Sequence, residues 1–198
     1  MSGRGVSFQS ALPAMSIPSI VSGTTKPPAD PVQIRLAHPT DARAIATIHV
    51  HGWQVAYRGI MSQALLDSLD VDEVTVRWIE RIQSQAIRIY VAEANREVVG
   101  WTSFRLVVDS VPLRSELMGL YLAPNHWRKG YGTRLYQTAE YECRESGATE
   151  ICLWVLAKNY GARLFYKIHG YRWSGILRMP EYGDWPCLTL QYRKPLRG

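Results

Sequence analysis

Between Leu120 and Leu135 the chain reads Leu-Tyr-Leu-Ala-Pro-Asn-His-Trp-Arg-Lys-Gly-Tyr-Gly-Thr-Arg-Leu. An apolar strand ends at Pro124, a short basic turn carries Gly130 and Gly132, and a helical pattern opens at once. This order constrains the fold most, because a strand buried in a sheet must feed a helix lying on that sheet. It also aims several backbone N–H groups at one point, where the helix dipole favours negative charge. Glycine carries no Cβ, so an anion can approach the main chain closely. Arg128 and Lys129 add positive charge, and a pyrophosphate would fit. The dinucleotide fingerprint needs a third glycine where Leu135 stands, and the Walker A loop needs Gly-Lys-Ser/Thr; neither is present.

The rest of the chain sets this turn in a mixed α/β domain. Residues 1–31 are rich in Ser, Pro and Gly, lack periodicity, and read as a disordered tail in which Met15 is an alternative start. From Val32 to Gly198 the pattern is that of one folded domain. A strand at Val32–Leu36 leads to a helix capped by Thr40 and running to about Val50. Helical spacing continues at Ser62–Leu69 and Asp72–Gln83. Strands are expected at Ile87–Ala94, Val98–Val108 and Glu116–Leu122, a helix at Tyr131–Ser146, and a strand at Ile151–Leu156. A short helix at Tyr160–Ile168 precedes a final antiparallel pair, Tyr171–Leu177 and Pro186–Tyr192. The alternation predicts a mixed sheet with helices on both faces.

Three cysteines, Cys143, Cys152 and Cys187, stand alone without CxxC spacing, as in a reduced cytoplasmic protein. No His or Cys cluster accompanies them, and no metal is expected. No apolar run reaches the roughly 20 residues of a membrane-spanning helix, so no membrane partner is expected. The net charge of +6 suits an anionic partner, either nucleic acid or a phosphate-rich cofactor. No nucleic-acid motif is evident, and nucleic acid is not the expected partner.

A second stretch completes the pattern. Asn159-x-x-Ala162-x-x-Phe165-Tyr166-x-x-x-Gly170-Tyr171 follows a buried strand, and it resembles the second cofactor motif of the GNAT N-acetyltransferase superfamily. The glycine turn is similar to that superfamily's pyrophosphate motif, Arg/Gln-x-x-Gly-x-Gly/Ala, except that Trp127 occupies the first position. The opening His49-Val-His-Gly-Trp53, with Tyr57-Arg-Gly59 after it, resembles a bacterial-type subgroup.

The resemblance implies the GNAT fold, a mostly antiparallel mixed sheet of about 6–7 strands. It implies acetyl-CoA as cofactor and direct acetyl transfer to an amine of a small molecule or peptide. Backbone amides from Arg128, Lys129, Gly130, Tyr131, Gly132 and Thr133 would hold the diphosphate, with Trp127 beside them. Leu120, Tyr121 and Leu122 would line the pantetheine arm, with Leu120 N–H at a strand bulge polarising the carbonyl, and Asn159 would belong to the cofactor site. Tyr166 would protonate the leaving thiolate. Glu116, 14 residues before Gly130, would serve as base unless water does. The acceptor would meet His51, Trp53, Tyr57, Glu181, Tyr182, Asp184 and Trp185. A homodimer is compatible with the family, as are a ribosomal-type protein N-terminal acetyltransferase and a silent acetyl-CoA sensor.

Overall fold

The structure, a computed structural model, describes residues 32–183 and 185–196; the tail expected over 1–31 and Asp184 lie outside the described residues. Strand β1 (Gln33–Leu36) is followed by α1 (Ala42–Ala56), α2 (Gln63–Asp67) and α3 (Val71–Ser84). Then come β2 (Arg88–Ala94), β3 (Glu97–Val107), β4 (Arg114–Leu122), α4 (Tyr131–Glu145), β5 (Glu150–Leu156) and α5 (Tyr160–Ile168). The chain closes with β6 (Arg172–Arg178), a small hairpin of β7 (Glu181–Tyr182) and β8 (Trp185–Pro186), and β9 (Thr189–Pro195).

Seven strands form one sheet in the order β1-β2-β3-β4-β5-β9-β6. Every neighbouring pair is antiparallel except β4 and β5, which run parallel and are joined by α4 as the crossover helix. Helices α1 and α3 pack on one face, and α4 crosses β2, β3 and β4 on the other. Helix α5 lies beside α4, with the Phe165 and His169 rings against Tyr136. The β2–β3 turn holds Asn95 and Arg96, both at positive φ, as a two-residue hairpin turn of primed type requires.

Three boundaries differ from the sequence pattern, each for a local reason. Helix α1 continues through Gly52 to Ala56, because a Cβ at Gly52 would stand 2.9 Å from Cδ1 of Tyr121; the glycine lets the helix lie against that ring. Thr40 is not the helix cap. It sits in a 3₁₀ turn, Pro39–Asp41, capped by His38, and the Asp41 carboxylate accepts from His38 N–H and pairs with Arg35 at 2.7 Å. The last long strand starts at Thr189 rather than Pro186, since the segment around Pro186 folds into the β7–β8 hairpin.

The core on the α1 face is aromatic. Trp53, Trp78, Trp101 and Tyr121 surround the buried His49 imidazole, with ring centroids 5.4–5.8 Å from it. Each fully buried ring of this size contributes several kcal/mol, since truncating such a side chain to Ala costs about 3–5 kcal/mol. The α4 face is closed by Leu117, Leu135, Ala139, Ile151, Leu153 and Val155, all fully buried.

Candidate active site

The site begins where two strands part. The parallel ladder joins Arg114–Leu117 to Glu150–Leu153 and stops there. Beyond it β4 runs on to Leu122 along β3, while β5 runs on to Leu156 along β9. A bulge in β4 coincides with the parting: Ser103 pairs with Gly119 and Phe104 with Leu117, so Met118 is the extra residue. Past this point the facing edges of β4 and β5 no longer satisfy each other, and main-chain donors and acceptors become available to a ligand.

The basic turn closes one end of this opening. Trp127 is anchored by its indole Nε1, which donates to the Leu122 carbonyl at 2.9 Å. Arg128 (φ 62) and Gly130 (φ 82) are both left-handed. For Arg128 that conformation costs about 1–2 kcal/mol, a local strain of the kind found at ligand sites. The first bond inside α4 runs from Arg134 N–H to Gly130 C=O at 3.1 Å. The amides of Tyr131, Gly132 and Thr133 therefore have no acceptor within the helix, and they stand at its positive end. Gly132 is packed close: a Cβ there would meet Leu122 Cδ1 at 3.3 Å and begin to fill the groove floor.

A groove of about 290 Å³ runs along this turn. Of the residues expected at the cofactor, Leu120, Leu122, Trp127, Arg128, Gly130, Gly132 and Thr133 line it. The opposite wall is α5, through Gly161, Phe165, Ile168 and His169. Phe165 belongs to the second motif read from the sequence; Gly161, Ile168 and His169 went unassigned there, although the four residues' spacing of four, three and one marks a single face of a helix. Lys129 is exposed in the same turn, and Tyr131 is buried with its ring stacked on His126.

Other expected residues take different places. Asn159 is fully buried, and its side chain caps α5 by accepting from Ala162 N–H at 3.1 Å. The Tyr121 side chain leaves the groove for the opposite face, where its hydroxyl accepts from Trp53 Nε1 at 2.9 Å and lies 3.1 Å from the Tyr57 hydroxyl. Trp53, Tyr57 and Tyr182 lie together, and all three are buried, with Trp53 edge-on to both tyrosine rings. Glu181 and His51 are exposed, and Trp185 donates to the Ile60 carbonyl at 3.2 Å, tying the β7–β8 hairpin to the segment after α1.

Tyr166 is fully buried on α5, and among the described residues its hydroxyl has no hydrogen-bond partner. A buried polar group left in this way costs about 1–3 kcal/mol. Burial pushes its phenol well above the ordinary range, and the charge of Tyr121 adds to the effect. Tyr57 is shifted the same way by burial and by its tyrosine neighbours, Tyr166 among them. Tyr166 is not among the residues that line the groove; its ring lies edge-on behind Phe165, which does, with centroids 5.6 Å apart, and its raised pKa keeps the phenol protonated at neutral pH.

Glu116 is buried rather than solvent-facing, and one carboxylate oxygen accepts from Arg105 Nε at 3.0 Å and Nη2 at 2.7 Å. This carboxylate is engaged by a guanidinium fork, a strong charge-assisted arrangement.

Comparison with known proteins identifies the class this geometry belongs to. Residues 53–171 match the Acetyltransferase (GNAT) family. A "Probable N-acetyltransferase" of Mycobacterium tuberculosis is 29% identical over 141 residues, covering 69% of this chain and 77% of its own. The spermidine N(1)-acetyltransferase of Thermoplasma acidophilum is 25% identical over 146 residues, covering 71% and 88%. The crystal structure of the PaiA N-acetyltransferase of Thermoplasma acidophilum in complex with coenzyme A superposes with a TM-score of 0.62 at 22% identity, covering 80% of this chain and 98% of that one. The chain belongs to the GNAT acetyltransferase family and is an N-acetyltransferase that depends on acetyl-CoA.

Proposed function

We propose that the protein transfers an acetyl group directly from acetyl-CoA to an amine, without an acyl-enzyme intermediate. One observation carries the reading. The glycine turn lines a groove whose α5 wall includes Phe165, and the Phe165 ring packs edge-on, 5.6 Å away, against the buried, unpartnered phenol of Tyr166.

The residues present fit the donor. Two left-handed residues and the first-turn amides of α4 suit a diphosphate, and the apolar walls formed by Leu120, Leu122 and Phe165 suit the uncharged arm behind it. When bound, acetyl-CoA supplies an acetyl group activated as a thioester.

The chain's own groups supply the rest. Main-chain N–H beyond the Met118 bulge, Leu120 first among them, polarises the carbonyl oxygen as it gains charge. Tyr166 holds a proton on its hydroxyl and delivers it to the departing sulfur. Glu116 is tied to Arg105 by two hydrogen bonds, and we assign it the task of positioning that guanidinium. The amine proton then leaves through water. The spermidine acetyltransferase among the relatives supports an amine acceptor without specifying which one.

Isothermal calorimetry with CoA and acetyl-CoA tests the reading on the folded protein. Saturable one-site binding of both is expected, together with thiol release when an amine panel is added. Absence of binding would overturn it.

A further inference from the structure

A second groove, of about 570 Å³, lies beside the β7–β8 hairpin. Three parts of the chain wall it: Gly59 and Ile60 after α1, residues 156–158 at the end of β5, and Met179 with residues 185–188 in and around the hairpin. Trp185 Nε1 donates to the Ile60 carbonyl at 3.2 Å and holds the hairpin against the segment after α1.

This groove adjoins the cofactor groove through the two diverging strands. Leu120 stands three residues past Leu117, the last β4 residue paired with β5, and Leu156 stands three past its partner Leu153. Leu120 lines the cofactor groove and Leu156 lines the second one. After β5 the chain passes directly from one groove to the other: Lys158 lines the second and Gly161 the first. Three residues of chain span at most about 11 Å, so the two grooves come at least that close. Asn159 anchors the partition between them by accepting from Ala162 N–H at 3.1 Å.

The large side chains of the second groove are apolar: Ile60, Leu156, Met179, Trp185 and Leu188. Met179 is 59% exposed, Trp185 47% and Leu188 38%. Single exposed apolar side chains are ordinary, but three around one concave surface mark a place for an apolar ligand group. Trp53, Tyr57 and Tyr182, by contrast, are buried and offer an acceptor almost no surface. We propose that the acceptor is a small primary amine carrying an aromatic or branched aliphatic group. That group lies against Met179, Trp185 and Leu188, and the amine reaches past the end of β5 to the cofactor groove. The reaction keeps its balance: the amine nitrogen forms the C–N bond as C–S breaks, sulfur takes a proton from Tyr166, and the amine proton leaves through water. The inference rests on the acetyl-transfer reading above and names its substrate class.

The test is thiol release at saturating acetyl-CoA with 2-phenylethylamine, isoamylamine, ethylamine, ethanolamine and 1,4-diaminobutane, with calorimetric CoA binding and light scattering measured in parallel. One added methylene in an apolar pocket is worth about tenfold or more. The expected result is therefore at least a tenfold higher kcat/KM for 2-phenylethylamine or isoamylamine than for ethylamine, carried in KM, with the two polar amines no better than ethylamine. Met179→Ser and Leu188→Ser, at exposed positions, should each lower that apolar preference about threefold while CoA affinity persists. Equal or better use of the polar amines, no thiol release with any amine while CoA binds, or an apolar preference unchanged in both variants overturns the inference. A flat preference with a dimer that Met179→Ser disperses would give the groove to a second copy and overturn it too. Loss of CoA binding by the wild-type protein would instead strike the acetyl-transfer reading, so the two failures are distinguishable. The comparison of amines needs only the wild-type protein, and misfolding of a variant leaves it intact.

Discussion

Trp53 Nε1 donates a 2.9 Å hydrogen bond to Tyr121 Oη, linking helix α1 to strand β4 across 68 residues of sequence. Both side chains are buried, and the Tyr57 hydroxyl lies 3.1 Å from the same oxygen. Tyr121→Phe removes the acceptor and leaves a buried indole N–H unsatisfied, which costs about 1–3 kcal/mol. The expected outcome is a lower urea midpoint with an unchanged m-value in equilibrium unfolding. An unchanged midpoint would mean that water replaces the lost oxygen.

Gly52 faces the same tyrosine. Alanine at an interior helical position normally adds about 1 kcal/mol of helix propensity over glycine. Here the new methyl would sit 2.9 Å from Tyr121 Cδ1, and overpacking of this kind costs about 1–3 kcal/mol. Gly52→Ala should therefore destabilise the protein in thermal unfolding. A raised Tm would show that the ring can retreat at no cost.

Sequence and structure agree most closely where local chemistry decides. Helix α5 has the expected bounds, Tyr160–Ile168, because Asn159 caps its start and Gly170 (φ 89) follows its end. The glycine turn was legible from Gly130, whose positive φ no other residue adopts cheaply. What escaped was tertiary. The helix expected to end near Val50 runs on to Ala56, with Gly52 pressed against Tyr121. Tyr121 belongs to the groove strand by position, yet its side chain turns to the other face through the period-two alternation of β4. Glu116 was visible as a strand carboxylate, but its partner, Arg105, lies on another strand, and only the register reveals the pair. Burial of Trp53, Tyr57 and Tyr182 likewise depends on the hairpin folding over α1, which spacing does not encode.

His49 gives a pH signature. Burial first, then the charges of Arg81 and Arg77, lower its pKa from 6.5 to about 3, and Trp78 Nε1 donates to its Nδ1. The unfolded chain therefore binds this proton at a higher pH than the native state does. Stability from His49 is complete above pH ~6.5 and is lost progressively as the pH falls towards ~3, with a slope of up to about 1.4 kcal/mol per pH unit. Urea unfolding at a series of pH values should show this decline, and His49→Gln should remove about one proton's worth of the slope. Equal slopes would place the titration elsewhere.

Gly130 carries a φ of 82, and a Cβ there would touch nothing within 4 Å. Alanine is thus penalised only through the backbone, by about 1–2 kcal/mol. The turn avoids that cost by relaxing, which moves the first-turn amides of α4 out of alignment. Gly130→Ala should weaken CoA binding about tenfold or more in calorimetry, with only a modest fall in Tm. Unchanged affinity would remove this turn from the diphosphate site.

The proposed mechanism turns on the proton of Tyr166, and one kinetic comparison reaches it. Tyr166→Phe keeps the ring in its fully buried place and deletes a hydroxyl that has no partner among the described residues, so the fold and CoA affinity should persist. Thiol release at saturating acetyl-CoA and amine should fall about a hundredfold, the lower end of what a positioned general acid contributes. Full turnover by the Phe variant, at unchanged CoA affinity, would contradict the assignment.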